Sequence, residues 1–134
     1  MKEGEFARLN HDCVRQVLLD IEANLQLEKK SFSDIITSKT ISKYGIDDVT
    51  YSLIQLSDAQ YIDASIGIFK GSRPLIHVEK ITWEGHKFLD NVRDPQVWSK
   101  TKKVLKRIES TSITLVSNIA SQVITNLIEK TLHL

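Results

Sequence analysis

Apolar residues recur every three or four positions in the first part of the chain, which predicts helices there. The first helix begins at Asn10 or Asp12, residue types that cap helix N-termini. Its apolar face consists of Val14, Val17, Leu18, Ile21 and Leu25. Residues 29–43 mix polar and apolar side chains without a clear period, and we expect a short strand and a short or irregular helical piece there.

A further helix is predicted over residues 47–59. Asp47 and Asp48 open it, because acidic side chains complement the partial positive charge of a helix N-terminus. Its buried stripe is formed by Ile46, Val49, Leu53 and Leu56. The opposite face is predicted to be exposed and carries Asp47, Asp48, Thr50, Tyr51, Ser52, Gln55 and Asp58.

The period then becomes alternating, which predicts a β-hairpin with strands over residues 62–69 and 75–81. One face of the first strand carries Ala64, Ile66 and Ile68, and Ile76 and Val78 alternate along the second. Residues 71–74, Gly-Ser-Arg-Pro, have the composition of a turn, since Gly tolerates positive φ and Pro presets φ.

Helical periods return after the hairpin. Thr82 is positioned to cap a helix that carries Phe88, Leu89 and Val92. Asp94 and Pro95 mark a break, and Pro95 suits the first position of the next helix. The apolar face of that helix consists of Val97, Trp98, Thr101, Val104, Leu105 and Ile108. Residues 110–128 contain no charged side chain and have a wide apolar face, which predicts a last helix.

Helix, helix, hairpin and capped helix is the order of elements in a winged-helix domain. We therefore predict an α+β, mainly α fold: a winged helix-turn-helix-like domain with a β-hairpin wing and added C-terminal helices. Residues 1–94 are assigned to the winged-helix-like domain. Residues 95–134 are assigned to a C-terminal helical extension that is expected to dimerise.

Composition limits the class of protein. A chain of 134 residues, 41% apolar and 26% charged, is sufficient for one soluble domain with a core. Residues 1–12 lack an apolar run, and no segment is long and apolar enough to cross a bilayer, so neither a secretory signal nor a membrane partner is expected. The single cysteine, Cys13, fits a reducing compartment, and we expect a cytoplasmic protein.

The net charge of +1 hides an uneven distribution. Residues 1–94 carry 12 Lys or Arg against 15 Asp or Glu, a net charge of −3. Residues 95–109 carry five basic residues and Glu109, a net charge of +4. A dedicated nucleic-acid binder usually has a basic surface over its reading domain, and here the positive charge lies in a later helix.

The helix at 47–59 occupies the recognition position of a helix-turn-helix. Thr50, Tyr51 and Gln55 on that helix are therefore candidates for contacts with DNA bases or phosphates. No Lys or Arg lies between residues 44 and 69, however, although phosphate contacts normally supply much of the affinity for DNA. The alternative is a core helix with a solvated or protein-contacting face.

Two groups of basic residues are further candidates for binding nucleic acid or a protein partner. The first group belongs to the predicted wing and consists of Lys70, Arg73 and Lys80. The second is a basic stripe on the helix after Pro95, formed by Lys102, Lys103 and Lys106 together with Lys100 and Arg107. Both groups are also compatible with an ordinary solvated surface.

The uncharged C-terminal helix carries the other strong pattern. Its apolar positions include Ile113, Val116, Ala120, Val123 and Leu127. A face of this kind does not stay exposed in a monomer, and we predict a homodimer formed through it. The alternative is that the helix packs within its own chain. A membrane-surface helix is disfavoured, because no basic residues flank the polar face.

No catalytic, cofactor or metal site is predicted. His86 and Asp90 are four residues apart on one helix, but no third metal ligand is in register with them. Cys13 has no base positioned to activate a thiol, since His11 precedes it by two residues and lies on another helix face. We therefore do not expect an enzyme.

Aromatic residues near the hairpin are interpreted as structural. Trp83 and Trp98 are predicted to be core aromatics that join the wing to the last helices. His86 is predicted to pack or form a hydrogen bond at the junction of wing and helix, where Gly85 permits a close backbone approach.

Residues 81–90, Ile-Thr-Trp-Glu-Gly-His-Lys-Phe-Leu-Asp, with Val97-Trp98 after them, carry a family resemblance. They resemble the motif Leu-Thr-Trp-x-Gly-His-x-Phe-Leu-Asp of a family of small phage, prophage and bacterial proteins of unknown function. Residues 14–22 and 47–62 resemble that family's opening helix and its acidic-capped helix. The chain departs from the family at Ile81, where Leu is usual, and at Ser52, where His is frequent. The resemblance covers residues 10–108 and implies a winged-helix-like fold and a mobile-element context, with no activity attached.

Two hypotheses about function follow. The first is a non-enzymatic regulator of a phage or mobile element that binds double-stranded DNA through the helix at 47–59 and the wing. The second is a protein–protein interaction module, such as a host-takeover or inhibitor factor, that keeps the fold and binds a host or phage protein. The missing basic residues at 44–69 favour the second, and the frequency of DNA binding among winged-helix proteins favours the first.

Overall fold

Seven helices and one antiparallel β-hairpin make up the part of the chain that the computed structural model describes, residues 9–108 and 112–133. In chain order they are α1 (His11–Asn24), α2 (Phe32–Ile35), α3 (Ser38–Tyr44), α4 (Ile46–Asp58), β1 (Ile62–Gly67), β2 (Leu75–Ile81), α5 (Trp83–Val92), α6 (Pro95–Leu105) and α7 (Ile113–Leu132). The predicted α+β, mainly α, winged-helix-like architecture is confirmed.

The structure distinguishes between Asn10 and Asp12, the two residues predicted to cap α1. The side chain of Asn10 accepts a hydrogen bond of 3.1 Å from the backbone N–H of Cys13, so Asn10 and not Asp12 is the cap. The buried face carries Val14, Val17, Leu18 and Ile21, as predicted. Leu25 follows the last helical residue in extended backbone, and α1 is therefore one residue shorter than its apolar pattern.

Residues 29–43 contain the short helical pieces that the irregular pattern indicated, whereas the predicted short strand is replaced by an isolated bridge. Ser31 forms an isolated antiparallel bridge with His77 of β2, and the N–H of Val78 donates to the carbonyl of Lys30 over 2.9 Å. This bridge and this hydrogen bond place residues 30–31 along the edge of β2. Helices α2 and α3 follow these residues.

A buried carboxylate fixes α1 to the start of α3. The Asp20 side chain accepts hydrogen bonds from the Thr37 backbone N–H over 3.1 Å and from the Gln16 amide over 2.9 Å. Thr37 in turn caps α3 by accepting from the N–H of Thr40. The first helix of the helix-turn-helix is therefore held at its N-terminus by hydrogen bonds to a buried carboxylate.

Helices α3 and α4 are joined by Gly45 alone, whose φ of 87° lies in a region that side chains with a Cβ rarely adopt. Helix α4 packs on α1 through Val49, Leu53 and Leu56. Ser52 is buried too, and its predicted exposure is wrong. It lies three residues from Val49, on the same helix face, and its hydroxyl hydrogen-bonds to the Cys13 side chain.

The wing consists of β1 and β2, paired from Ile62↔Ile81 to Gly67↔Leu75. The register shifts between Asp63 and Ala64, so Val78 and Ile81 both face the core although they are three residues apart. The predicted length of the first strand, and with it the place of Ile68 on a strand face, is wrong. Ile68 follows the last paired residue, Gly67, and is exposed.

The junction between β2 and α5 explains two residues of the Thr-Trp-Glu-Gly-His string. The Thr82 hydroxyl accepts from the Gly85 N–H over 3.1 Å and donates to the Gln60 carbonyl over 2.6 Å. A Cβ on Gly85 would overlap the Tyr61 carbonyl oxygen. The predicted cap at Thr82 and the close backbone approach at Gly85 are both confirmed.

The two aromatic positions of the same string behave differently from the prediction. Trp83 is 75% exposed, so its assignment to the core is wrong. His86 is exposed as well, and its predicted packing at the junction is wrong. The buried face of α5 carries Gly85, Phe88, Leu89 and Val92. Trp83 precedes Gly85 by two residues, which turns its side chain about 200° around the helix and away from that face.

In the last part of the chain α6 and α7 pack on each other. Pro95 is the first residue of α6, as predicted, and the Asp94 side chain caps the helix. Val97, Trp98 and Thr101 are buried. Val104 and Ile108 were predicted on the same face and are partly exposed instead; Val104 belongs to the last turn of α6, and Ile108 follows the end of the helix at Leu105.

The contacts divide the chain into two units, the first ending at His86 and the second beginning at Lys87. The division falls within α5, whereas the sequence pattern predicted a boundary after residue 94, which stays a prediction. Among the described helices, none is both long and apolar enough to cross a membrane.

Candidate nucleic-acid interface

The outer face of α4 carries the three residues that were predicted to touch DNA. Thr50, Tyr51 and Gln55 are each half-buried. Asp47 and Asp58, at the two ends of α4, are exposed. This face is therefore polar and net negative, and its cations have to come from neighbouring elements.

One such cation comes from the wing. The guanidinium of Arg73 donates to the Asp47 carboxylate over 2.8 Å. This ion pair brings the predicted wing residue Arg73 to the start of the predicted recognition helix, 26 positions away in sequence. Both partners are exposed to solvent, so the pair adds little stability and exchanges readily. Wing and α4 thus belong to one surface.

The other two wing cations differ in their surroundings. Lys70 lies at the exposed tip, next to the Gly71–Pro74 turn. Lys80 lies directly opposite Asp63 in the strand register, so the two charges offset one another on the same side of the hairpin. Of the predicted wing residues, Lys70 therefore contributes positive charge most directly, and Arg73 contributes it when it leaves Asp47.

Two basic residues of α3 belong to the same helix-turn-helix and were not selected from the sequence. Lys39 and Lys43 are both exposed and four residues apart, so they lie one above the other on one helix face. The Lys43 ammonium lies 5.4 Å from the centroid of the Tyr44 ring. The signal was present in the pattern, since the spacing of four is visible in residues 39–43.

The wing tip is apolar as well as basic. Ile68 and Phe69, in the hairpin loop, are 80% and 55% exposed, and Leu75, the first residue of β2, is 65% exposed. The Phe69 ring folds back over the Cα of Gly67, where it would lie 2.9 Å from an added Cβ. The sequence pattern assigned Ile68 to a strand and therefore missed this patch.

The outer face of β2 is occupied by an ion-pair cluster. Glu79 accepts from the Lys30 ammonium over 2.8 Å, and His77 Nε2 lies 3.0 Å from its second oxygen. The hydrogen bond from Lys30, together with its charge, lowers the pKa of the Glu79 carboxyl below its ordinary value. Lys30 and His77 therefore both pair with Glu79, and the Lys30–Glu79 pair links the segment around Ser31 to β2.

The basic stripe lies at the end of α6, in the second unit. Lys102 and Lys103 belong to the last helical turn, while Lys106 is the C-cap and Arg107 follows the helix. Cations at this position complement the partial negative charge of a helix C-terminus, which supports the alternative of a structural, solvated stripe. Lys103, Lys106 and Arg107 are exposed and remain available to an anionic partner.

The thiol of Cys13 is fully buried. Burial raises its pKa from the ordinary value of 9.0 to about 11, so the thiolate is scarce at neutral pH. Within the described ranges, no group of three His, Cys, Asp or Glu side chains has a geometry that would hold a metal ion.

The residues that were predicted to dimerise divide into two sets. Ile113, Val116 and Ala120 are buried within the chain, where α7 packs on α6. Val123 and Leu127 are half-buried. A shallow apolar groove of about 250 Å³ runs along the end of the helix. It is lined by Ile124, Leu127, Ile128, Thr131 and Leu132. The first half of α7 therefore follows the intramolecular alternative, and the second half has an uncovered apolar face.

These features define a mainly helical α+β protein with a winged-helix-like arrangement. The chain belongs to the family described as "Hypothetical protein (DUF2513)", whose model matches residues 8–112. It is 28% identical over 120 residues to an uncharacterized protein of Haemophilus influenzae, an alignment that covers 89% of this chain and 97% of that protein. No solved structure matches the chain. The predicted membership of a family of unknown function is confirmed.

Proposed function

We propose that this protein is a non-enzymatic, DNA-binding regulator of a phage or other mobile element. The observation that carries the proposal is the contact between Arg73 of the wing and Asp47 of α4, which joins wing and helix-turn-helix into one surface. In this proposal Thr50, Tyr51 and Gln55 face the major groove, where Gln pairs with adenine. Lys39, Lys43 and Lys70 contact phosphates on either side.

The acidic residues of α4 set the expected strength of binding. Arg73 has to exchange the Asp47 carboxylate for a phosphate. The exposed carboxylate of Asp58 remains near the DNA and contributes no favourable contact. Four cations on this surface correspond to a salt dependence with a slope of roughly −3 to −4 in log affinity against log salt concentration. We therefore expect weak binding to random sequence and a clear gain at a specific site.

The proposal is tested by fluorescence anisotropy with random-sequence and own-promoter duplexes at about 50 and 200 mM salt, the range over which phosphate contacts are visible. The double variant Lys39→Ala/Lys43→Ala should weaken binding to both duplexes and reduce the salt slope by about two. Gln55→Ala should reduce the preference between the duplexes and leave the slope unchanged. Lys130→Ala, which removes one charge from the last turn of α7 in the second unit, is the control.

The alternative function is a protein-interaction module that binds a host or phage protein. The exposed apolar residues of the wing tip and the net negative face of α4 favour this alternative. Binding to neither duplex at micromolar protein concentration would contradict DNA binding and leave this alternative as the function to pursue.

The basic stripe is a separate candidate for contact with nucleic acid. Lys102, Lys103 and Lys106 lie in the second unit, and replacing all three with Ala tests them independently of α3 and the wing. If they contact phosphate, the triple variant loses about three in salt slope. An unchanged slope assigns the stripe to the stability of the α6 C-terminus.

We further propose that the protein self-associates weakly, with a second copy covering the end of α7. Ile128 is 52% and Leu132 78% exposed in this segment. Residues 110–128 carry no charge, and the two charged residues that follow, Glu129 and Lys130, have opposite signs. Each Leu or Ile that becomes fully buried contributes roughly 1.5–3 kcal/mol, and association costs roughly 4–15 kcal/mol. A small number of side chains per copy therefore supports only a weak dimer.

Sedimentation equilibrium over a wide concentration range tests this association. Ile128→Glu should abolish the dimer, because it places a charge in the apolar face. Gln122→Glu adds the same charge on the opposite side of α7, and the dimer should persist. Equal behaviour of the two variants would contradict the proposed interface.

A further inference from the structure

The wing tip has a composition that the hairpin itself does not require. Three large apolar side chains, Ile68, Phe69 and Leu75, are more than half exposed there. β1 ends at Gly67 and β2 begins at Leu75, so Ile68 and Phe69 contribute nothing to the strand pairing. Side chains of this size normally gain roughly 1.5–3 kcal/mol each from burial, and leaving them outside points to a ligand that covers them.

The charge of the tip indicates what kind of ligand that is. Between Asp63 and Glu79 the chain has no acidic residue, and it carries Lys70 and Arg73. Residues 1–94 are otherwise acidic, with a net charge of −3. Lys70 is a cation beside these apolar side chains, and Arg73 becomes a second one when it leaves Asp47 of α4, so the tip complements a polyanion that also offers apolar surface. Double-stranded DNA has both, since phosphates line its grooves and the faces of its bases are apolar.

We propose that the wing tip is a wedge that enters a groove of the DNA, inserts Phe69 and Ile68 at a base step and bends the duplex. The proposal rests on the proposed DNA-binding function and adds a deformation of the DNA to it. Lys70 and Arg73 contact the phosphates on the two sides of the groove, and Arg73 leaves Asp47 when it does so. Apolar side chains that unstack a base step kink the duplex by roughly 20–90°.

The wedge also determines which sequences are favoured. Opening a base step has a free-energy cost that is smallest at flexible pyrimidine–purine steps such as TA. The protein should therefore prefer duplexes that place a TA step under the wing, without any hydrogen bond from the tip to a base edge. This preference is separate from the one that Gln55 provides through the major groove.

The test uses the full-length protein and duplexes labelled at both ends, so that fluorescence anisotropy reports binding and energy transfer between the ends reports bending. One duplex has random sequence and the other is rich in TA steps. The unsubstituted protein should bind both, bind the TA-rich duplex more tightly and shorten its end-to-end distance. Phe69→Ala should bind about ten-fold more weakly and bend much less, the loss that corresponds to removing one stacked aromatic.

Three variants make the test specific. Ile68→Ala should also reduce bending, and it leaves the Phe69 ring in place over Gly67, so a loss of bending does not depend on an unsettled hairpin. Leu27→Ala removes another exposed apolar side chain of the same unit, far from the tip in sequence, and should behave like the unsubstituted protein. Lys70→Ala should weaken binding to both duplexes and reduce the salt slope by about one.

Each outcome has one interpretation. Binding without bending, or bending that Phe69→Ala and Ile68→Ala leave unchanged, overturns the wedge while the proposed DNA-binding function stands. Absence of binding to either duplex overturns both. If Phe69→Ala and Leu27→Ala weaken binding equally, the effect is not specific to the tip, and the wedge is again overturned.

Discussion

Replacing Gly85 with alanine should reverse the usual ranking of these two residues in a helix. Gly85 lies inside α5, where alanine is ordinarily more stable than glycine by about 1 kcal/mol. Here an added Cβ would overlap the Tyr61 carbonyl oxygen and lie 2.8 Å from Ile81 Cγ2 and 2.9 Å from the Tyr61 carbonyl carbon. Two of these three atoms belong to backbone, which cannot rotate away as a side chain does.

The cost follows from what has to move. Separating α5 from Tyr61 stretches the 3.1 Å hydrogen bond from the Thr82 N–H to the Tyr61 carbonyl. It also strains the Thr82 cap, which joins Gln60 to Gly85. Loss of a cap and a backbone hydrogen bond costs about 1 kcal/mol each, and overpacking adds about 1–3 kcal/mol. Against the gain in helix propensity, we expect a net destabilisation of about 3 kcal/mol.

Urea unfolding followed by circular dichroism measures this difference. His86→Ala is the control, because it also places alanine in α5, one residue further along and at an exposed position. The control should change the free energy of unfolding by no more than about 0.5 kcal/mol. A Gly85→Ala protein as stable as the control, or more stable, would refute the argument that the backbone approach requires glycine.

Three further predictions concern buried and exposed groups. Cys13 should resist thiol reagents at pH 8 in the folded protein and react once the protein is unfolded. Because folding raises the pKa of the thiol, its contribution to stability is fully present below pH 9.0 and is lost as the pH rises to about 11. Rapid labelling of the folded protein would contradict this burial. Trp83→Phe should remove the tryptophan fluorescence that acrylamide quenches and leave the fluorescence of the buried Trp98. Equal quenching by acrylamide in the Trp83→Phe and Trp98→Phe proteins would be inconsistent with the structure. Asp20→Ala should cost about 2–3 kcal/mol in urea unfolding, because the Thr37 N–H and the Gln16 amide lose their acceptor; a loss below about 0.5 kcal/mol would show that water replaces the carboxylate.

The fold was predictable where periodicity and capping acted together. Asn10, Thr82 and Asp94 each begin a helix and each lies just before an apolar period, so both the start and the buried face were visible. The alternating pattern likewise located the hairpin. Turn chemistry is local and depends on neighbouring residues only, which is why the turn at residues 71–74 was placed correctly between β1 and β2.

The errors have a common physical origin in contacts that are distant in sequence. Ser52 is polar and yet buried, because its hydrogen-bond partner Cys13 lies on another helix. Trp83 is aromatic and yet exposed, because the buried face of α5 is set by the approach of Gly85 to Tyr61. Polarity alone did not reveal either arrangement.

The candidate site was only partly predictable for the same reason. The basic residues of the wing were identified from the turn, but the pairing of Arg73 with Asp47 spans 26 positions and no local pattern contains it. The apolar tip was missed because alternation continued past Gly67, where the strand pairing stops. Lys39 and Lys43 were predictable in principle from their spacing.

The absence of charge from residue 110 to residue 128 makes the two proposed associations respond in opposite ways to ionic strength. Salt screens the contacts of Lys39, Lys43 and Lys70 with phosphate, so concentrated salt releases nucleic acid. Contacts along the end of α7 are apolar, and salts such as sulfate strengthen them. A cell extract prepared in concentrated sulfate should therefore yield the protein free of nucleic acid and most strongly self-associated, while dilution into low salt favours the DNA-bound form.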